Sequence, residues 1–447
     1  MEMRVVLLLY LPFLFLACTN NQLQNENFDK ALLYKLCQED FLQQKKSKKP
    51  ENDSIYLGLN VALIARNCGD FVRSNALLDK VEESYKYEVD LENLTTKSAK
   101  LILKTFINEN IFAYQGSLYE RIMVNIYKAL NFMNLNDFTN ARVEINRALM
   151  RQEKAKEYFA KEIALSREKF DELKRDSGYL NENFQNLSQQ YASLFREFHT
   201  SENFINGYAS YIASVFFFLE REYKRSADLL KELVFAHPEN VELQKEFQIF
   251  EKRANAINGD DKEKYIFLIY ENGLGVVKDS FELTLPFLID GKIIPLSVAL
   301  QTLKKREGSF EFLDINGILT TQIVNLDDVV ATEFQLTLLT MITKAFIQTL
   351  TKASLNFFVA NSDSNGALFN FMGVLATVLT NKSDVRSWRA LPQSISVAML
   401  KNSKTIVLKN PQGREIFNTE LDEKKNALII VRSFSPFSPL NVSIIQK

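Results

Sequence analysis

The residues that could carry out covalent or metal chemistry are few in this chain of 447 residues. It contains three cysteines (Cys18, Cys37 and Cys68) and two histidines (His199 and His237). Two histidines are too few for a multi-histidine zinc site and leave little scope for histidine-based acid catalysis. The sequence also lacks a G-x-x-x-x-G-K-[ST] loop, a G-x-S-x-G elbow, an H-E-x-x-H helix and a C-x-x-C pair. We therefore predict no catalytic residues, metal or cofactor. A catalytic carboxylate pair stays open, because 55 acidic residues contain many pairs.

Cys18 ends an N-terminal pattern that is typical of exported proteins. A polar start with Arg4 precedes an apolar run of 13 residues, Val5–Ala17. This run is too short to span a bilayer, which takes about 20 apolar residues, but has the length of a signal-peptide core. The Ala17-Cys18 junction resembles a bacterial lipobox, so we expect residues 1–17 to be cleaved and the Cys18 thiol to be acylated. An ordinary secretory signal or an uncleaved anchor is the alternative.

The residues that follow Cys18 predict a tether over residues 18–27. The stretch Thr19–Asn25 is too polar to bury enough surface for folding. By analogy with bacterial sorting rules, Thr19 at the position after the lipid cysteine favours the outer membrane. We therefore expect a lipid-anchored protein of the cell envelope, on the periplasmic face of the outer membrane.

Cys37 and Cys68 remain in the mature chain. They could pair in an oxidising compartment, but two cysteines do not make a disulfide-stapled scaffold. Free cysteine behaves as a small buried hydrophobic residue. Buried free thiols are therefore favoured over a disulfide.

Composition and charge indicate a folded protein without an overall field for polyanions. Hydrophobic residues make up 46% of the chain and charged residues 24%, as in globular proteins. The 54 basic and 55 acidic residues leave a net charge of -1, which disfavours nucleic acid as a partner. The length allows two or three domains.

Residues 28–257 predict helical pairs, because three stretches share one order of residue types. An acidic residue, an aromatic, a small residue and an aliphatic recur at fixed offsets, and another small residue lies twelve positions before the first small one. Two small residues at one crossing allow close packing of two helices. The stretches are Asp70-Phe71 with Ser74, Leu78 and Ala62; Asp137-Phe138 with Ala141, Ile145 and Ala129; and Glu222-Tyr223 with Ser226, Leu230 and Ser214.

This pattern resembles the tetratricopeptide repeat, most closely over Ala129–Ala148. The three units begin 67 and 85 residues apart, so other helices must lie between them. Residues 140–196 carry intermixed charges that are typical of long solvated helices, and a coiled-coil-like hairpin with its turn near Gly178 is plausible. Helical repeats form concave surfaces that bind peptides or partner helices.

Three basic residues on the second helix of the best-matching unit are candidate protein-binding residues: Arg142, Arg147 and Arg151. Their guanidinium groups could bind a carboxylate bidentately. The alternative is that they pair with Glu144 and neighbouring acids on a solvated helix face, and we favour it.

Residues 258–447 predict a smaller α+β domain after the helical one. The turn cluster Asn258–Asp261 indicates the boundary. Short alternating or β-branched runs follow, including an Asp290-Gly291 hairpin signature, and strands resume over residues 395–445. Between them, residues 331–380 have helical periodicity. The apolar stretch Ala367–Leu379 is too short to span a membrane, so we expect it to be buried against the sheet.

Several short motifs together resemble a family of uncharacterised bacterial lipoproteins with tetratricopeptide-like repeats. The resemblance covers about residues 110–400 and implies a lipobox, a helical repeat domain and a small β-containing part. It also implies association with envelope lipoproteins that regulate peptidoglycan synthases. The motifs are Tyr119-Glu120-Arg121, Ala129-Leu130-Asn131, Ala141-Arg142-Val143-Glu144 with Arg147, Tyr270-Glu271-Asn272-Gly273, Leu285-Pro286, Asp384–Trp388 and Leu391-Pro392.

Trp388 is the single tryptophan, and it lies between Arg386 and Arg389. Tryptophan and arginine are enriched in binding hot spots, so Arg386 and Trp388 are further candidate binding residues. The alternative, which we favour, is that Trp388 packs the preceding helix onto the sheet while Asp384 holds Arg386 locally.

Together these observations predict a membrane-anchored scaffold that binds envelope proteins through its helical repeats. The alternative is a carrier or enzyme that acts on an envelope polymer, a glycan or a lipid, in a cleft between the two domains. A deep cleft lined by convergent carboxylates or arginines would favour the second hypothesis.

Overall fold

The computed structural model describes residues 23–37, 54–85, 114, 116–176, 187, 191–200, 206–256, 263–289, 292–338, 341–342, 345 and 383–447. The predicted signal peptide, Cys18, the turn at Gly178, the boundary turn Asn258–Asp261 and the stretch Ala367–Leu379 lie outside these residues.

The chain is a mixed α/β protein in which most of the described helices precede the strands. None of the helices within the described ranges is both long enough and apolar enough to cross a membrane. Helix α1 begins at residue 23, so the last part of the predicted tether is helical. The helices are α1 (23–33), α2 (Ser54–Asn67), α3 (Phe71–Tyr85), α4 (Leu118–Asn134), α5 (Phe138–Asp176), α6 (Gly207–Leu219), α7 (Tyr223–Ala236), α8 (Val241–Ala254) and α9 (326–338).

The three predicted helical pairs are α2–α3, α4–α5 and α6–α7, and their turns have the same hydrogen bonds. Gly69, Asn136 and Arg221 have positive φ angles of 80°, 60° and 63°. The acidic residue that follows each of them donates its backbone N–H to the carbonyl five residues earlier. The small residue of the second helix then donates to the carbonyl of that acidic residue. Because this closure satisfies carbonyl groups at the end of the first helix, the turns stop each helix at one defined point. The predicted starts of α3, α5 and α7 are confirmed.

The predicted crossings of small residues are also confirmed. Ser214 and Ser226 are fully buried, and each hydroxyl donates to the other residue's backbone carbonyl, at 2.8 and 2.7 Å. Ala129 and Ala141 are fully buried at the corresponding place of the second pair. Small side chains allow this approach of two helix backbones.

The expectation of free thiols at Cys37 and Cys68 is wrong, because the two residues form a disulfide with their Cα atoms 5.7 Å apart. Helix α1 runs parallel to α2: Asn25, near the start of α1, accepts a hydrogen bond from Tyr56, near the start of α2. The two cysteines follow the ends of these helices and therefore meet. Helix packing decides this pairing, and cysteine count alone cannot reveal it.

A five-stranded mixed sheet lies beside the helices, in the order β11-β10-β1-β7-β6. β1 pairs in parallel with β10 and antiparallel with β7. A second sheet has the order β5-β4-β8-β9, and β2 and β3 form a separate hairpin. The strands are β1 (Tyr265–Asn272), β2 (Val277–Ile289), β3 (Lys292–Lys304), β4 (Asp314–Ile315), β5 (Ile318–Leu319), β6 (Thr321–Asn325), β7 (Ser394–Lys401), β8 (Thr405–Lys409), β9 (Glu415–Glu420), β10 (Ala427–Ser433) and β11 (Asn441–Gln446).

The side chains of β1 alternate between two hydrophobic cores, one on each face of the five-stranded sheet. Phe267 and Ile269 belong to the core shared with the helices, whereas Leu268 and Tyr270 belong to the core shared with the second sheet. The rings of Phe218 in α6 and Phe250 in α8 pack against Phe267, with centroids 5.2 and 5.9 Å apart. The helical region and the sheet therefore share one continuous core, on both sides of the boundary predicted near residue 258.

The close serine crossing predicts a specific sensitivity to size. We expect Ser226→Val to lower the free energy of unfolding by about 1–3 kcal/mol, because added methyl groups must push α6 and α7 apart. Asp228→Val places the same side chain on an exposed position of the same helix and controls for helix propensity. Urea unfolding followed by circular dichroism measures both. Equal losses in the two variants would contradict the packing explanation.

Candidate functional site

Residues 387–389 lie against α2 and α4, which bind their backbone. The buried Asn60 of α2 donates from Nδ2 to the carbonyl of Ser387 at 3.3 Å and accepts at Oδ1 from the backbone N–H of Arg389 at 2.9 Å. Oε1 of Glu120 in α4 accepts the backbone N–H of Trp388 at 2.7 Å. The inner face of these helices thus holds a segment of its own chain, in the way that a helical groove could bind a peptide.

Arg386 and Trp388, predicted as candidate binding residues, are each 2% exposed. The Trp388 ring meets Tyr127 edge-on, with centroids 5.7 Å apart. Arg386 donates to the two carboxylate oxygens of Asp384 at 2.9 and 2.7 Å and lies over the ring of Tyr114. Both residues have the internal positions that the structural alternative expects.

Arg142 joins the second helical pair to the third. Its guanidinium donates to Glu220 at 2.8 Å and also to Glu222, at the turn between α6 and α7. It lies beside the rings of Phe216 and Phe217 as well. Its charge is therefore already balanced by two carboxylates of the same chain.

Arg147 and Arg151 belong to an ion network between α3, α4 and α5, centred on the buried Lys128. Lys128 Nζ lies 2.8 Å from Asp79 and 3.0 Å from Glu144, and it also donates to Glu82. Arg147 binds Glu144 at 2.8 Å, and Arg151 binds Glu82 at 2.9 Å. These three cations and three carboxylates hold the first helical pair against the second.

The network favours the charged forms of Glu82 and Lys128 even though both side chains are buried. Burial alone would raise the pKa of Glu82, but the hydrogen bonds and positive charges of Lys128 and Arg151 lower that pKa below its usual value. Burial likewise opposes ionisation of Lys128, but its carboxylate partners raise its pKa. Removing one member would leave a buried charge without its partner, so the network is structural.

The start of α4 is held by carboxylates from two elements. Glu333 of α9 accepts the backbone N–H groups of Leu118 and Tyr119 at 2.8 and 2.9 Å. Glu120 accepts the N–H of Ser117 at 2.9 Å and the hydroxyl of Tyr114 at 2.6 Å. Burial raises the pKa of Glu333 to about 7. Carboxylates at a helix N-terminus accept hydrogen bonds from its free N–H groups and interact favourably with the positive end of the helix dipole.

A partly exposed strip remains on the outer face of α5. Arg147 has 44% of its side chain exposed. The neighbouring Val143 and Met150, one helical turn on either side, are 42% and 51% exposed. This outer strip (Val143, Arg147 and Met150) combines two apolar side chains with one cation, which is a composition suited to protein contact.

The described part of the chain offers little for catalysis. It contains no cluster of three histidine, cysteine or acidic residues that could hold a metal ion. A cavity of about 140 Å³ lies between Tyr191, Leu194, Phe281 and Thr302, which are apolar except for two hydroxyl groups. The strongly shifted carboxyl groups Glu246, Glu333 and Asp327 are buried by protein and do not line this cavity.

Comparison with known proteins adds no relative. No protein family, no curated protein and no solved structure matches this chain.

Sequence reasoning missed Asn60 and Lys128 and did not assign a role to Glu120. One signal for them was available, since each is a polar residue within an otherwise apolar stretch of helix. Burying such a residue costs free energy unless it finds a partner. Its partner, however, comes from a distant part of the chain, as the contact of Asn60 with Ser387 shows.

The internal position of Trp388 predicts a large loss of stability on truncation. We expect Trp388→Ala to lower the free energy of unfolding by about 3–5 kcal/mol, because it empties a packed site beside Tyr127. Phe235→Ala removes a ring that is 73% exposed and should change stability by about 0.5 kcal/mol or less. Urea unfolding at equal protein concentration compares them. Similar midpoints for the two variants would show that Trp388 is not a packing residue.

The pKa of Glu246 predicts how stability depends on pH. Glu246 of α8 is buried, accepts the hydroxyl of Tyr211 at 2.9 Å, and has its pKa raised to about 8 by burial. Between its ordinary pKa of about 4.5 and 8, the folded state holds this proton more tightly than the unfolded state. The free energy of unfolding should therefore fall as pH rises through this range.

In Glu246→Gln the contribution of this carboxyl group to the loss of stability should disappear. Compared with the parent protein, the variant should therefore be more stable at pH 8 than it is at pH 5. Glu251→Gln, on the exposed side of the same helix, is the control and should keep the parent's pH dependence. Urea unfolding at pH 5, 6.5 and 8 measures the three proteins. An unchanged slope in Glu246→Gln would contradict the assignment.

Proposed function

We propose that this protein is a lipid-anchored lipoprotein of the cell envelope that acts as a protein-binding scaffold through tetratricopeptide-like helical pairs. One observation carries the proposal: three helical pairs with identical turns and small-residue crossings pack side by side. Helical pairs of this kind commonly serve protein binding. The motifs shared with uncharacterised bacterial lipoproteins point to the same class.

The disulfide between Cys37 and Cys68 supports an exported location. Disulfides persist in oxidising compartments such as the periplasm and are rare in the reducing cytosol. This agrees with the signal peptide expected over residues 1–17, acylation at Cys18, and a site on the periplasmic face of the outer membrane. Envelope proteins are the expected partners.

The outer strip on α5 is the surface that we assign to partner binding. The inner faces of α2, α4 and α6 are almost entirely buried, so they are not free to bind a partner. All three arginines pair with carboxylates of the same chain, and Arg147 has the largest exposed fraction of its side chain, 44%. The alternative of a carrier or enzyme places its site in a cleft between helices and sheet, where the described residues share a continuous core instead.

Photocrosslinking in cells tests the scaffold proposal. A photoreactive residue replaces Met150, which is 51% exposed at one end of the outer strip. The control position is Val241, which is 58% exposed at the start of α8. We expect one recurrent envelope protein, identified by mass spectrometry, from Met150 only. Val143→Glu, which places a charge on the same strip outside the ion network, should reduce that product by about tenfold. Capture from both positions, or capture unaffected by Val143→Glu, would refute binding through this strip.

A further inference from the structure

Phe437 is an aromatic side chain that the fold holds out into solvent. It is 97% exposed, in the loop 434–440 between β10 and β11. Two hydrogen bonds hold the conformation of this loop. The Ser435 hydroxyl lies 2.8 Å from that of Ser438 and accepts the backbone N–H of Phe437 at 3.3 Å. Pro436 and Pro439 flank the ring on the chain and are themselves exposed. A ring that this hydrogen-bonded turn presents to water would gain free energy by entering an apolar medium.

Contacts along the helices and strands show at which end of the molecule this loop lies. At one end lie the three helical turns, and Lys447, which follows β11, binds Glu220 and lies over the Phe138 ring there. The six residues of β11 then span about 20 Å toward the opposite end, where β11 begins and loop 434–440 lies. We call this opposite end, with loop 434–440, the loop end.

Helix α1 begins at the loop end as well. Its residue Asn25 contacts Tyr56 near the start of α2, while the disulfide at Cys37 lies beside the first helical turn at the other end. Segment 306–309 links α1 to the end of β10, just before the loop. Asp29 binds Arg306 at 3.1 Å, and three residues later the hydroxyl of Ser309 lies 2.6 Å from that of Ser433, where the loop starts.

The distance along the chain from Cys18 then limits how far the loop end can be from a membrane. Four residues lie between Cys18 and Leu23, the first described residue of α1, and the five Cα–Cα steps span at most about 18 Å. If Cys18 is acylated, the start of α1 stays this close to the bilayer surface. The loop end is therefore the part of the molecule that must face the lipid.

A second element that starts at the loop end is largely apolar in sequence over its far half. The hairpin β2–β3 begins there, just after β1, and its register pairs Leu285–Ile289 with Lys292–Leu296. Among the ten residues of these two runs only Lys292 is charged. Pro286 lies directly opposite Pro295, so both strands lack an N–H at this position. Proline there opposes pairing with a further strand, which argues against a β-strand partner at this position.

We propose that the loop end lies on the surface of a lipid bilayer and that Phe437 inserts its ring into the interfacial region, as a second attachment besides the acyl chain. The proposal rests on the proposed lipid anchor at Cys18. A single acyl chain gives only marginal attachment, so an added apolar contact stabilises it. Nearby charges are balanced between Lys304 and Lys305 on one side and Glu307 and Glu311 on the other, so the attachment does not need anionic lipid.

Tryptophan quenching by lipids with brominated acyl chains tests the position of the loop. Phe437→Trp reports on the loop, and Val72→Trp, at a position 65% exposed beside the first helical turn, is the matched control at the other end. The buried Trp388 gives the same background in both. On phosphatidylcholine vesicles we expect strong quenching for Phe437→Trp and none beyond background for Val72→Trp. Equal quenching at the two positions would overturn the proposal.

Affinity provides a second measurement that does not depend on acylation. In chains that carry Cys18→Ser, and so cannot be acylated, Phe437→Ser should weaken binding to the same vesicles by about tenfold or more, because a phenylalanine contact is lost. Val72→Ser should leave the binding unchanged. Equal binding of Phe437→Ser and its parent, or protection of position 437 by a protein pocket instead of lipid, would overturn the proposal.

Labelling with a fatty-acid analogue separates this inference from the proposed function. Absence of label on Cys18 would end the lipoprotein proposal while the vesicle measurements still judge Phe437. If labelled protein floats with vesicles but shows no quenching at position 437, the lipid anchor at Cys18 is supported. The same result would overturn the insertion of Phe437.

Discussion

The burial of β1 on both faces is the constraint on which the rest of this structure depends. Every residue from Tyr265 to Asn272 is buried, and alternate side chains enter different cores. One core requires the helices, the other requires the second sheet, and the two edges of the strand require β7 and β10. A strand of this kind is stable only when four neighbours are in place at once. Helices and strands are therefore parts of one cooperative unit.

Buried polar groups give this unit a single arrangement. Asn60 and Glu120 hold the backbone before β7, and Tyr208 donates to Glu271 at 2.7 Å. Lys128 lies among carboxylates of two neighbouring helices. Each such group costs free energy unless its own partner is present, so alternative packings are penalised. Several residues of the motifs that resemble bacterial lipoproteins, including Glu120, Asn131 and Glu271, belong to these buried contacts. The motifs thus describe how the molecule is held together.

The local part of this fold could be predicted from the sequence, and the long-range part could not. The turns at Asp70, Asp137 and Glu222 depend on residues within one helical pair, so residue spacing was enough. The prediction for Cys37 and Cys68 was wrong because composition does not show which helices pack side by side. The internal place of Trp388 was one of two alternatives, since its partners Tyr127 and Glu120 lie more than 250 residues earlier. The solvent exposure of Phe437 could not be predicted from the sequence, because exposure depends on the completed fold.

The parallel pairing of β1 with β10 sets an order for folding. Ile266 pairs with Ala427, 161 positions later, so the centre of the sheet cannot close until nearly the whole chain is available. Contacts between such distant residues carry a large loop-closure cost and make folding slow. A chain exported in the unfolded state from its N-terminus would present complete helical pairs with uncovered apolar inner faces before its last strands emerge. During that interval the chain would need chaperones. Its tendency to aggregate would depend on how soon β10 becomes available to pair with β1.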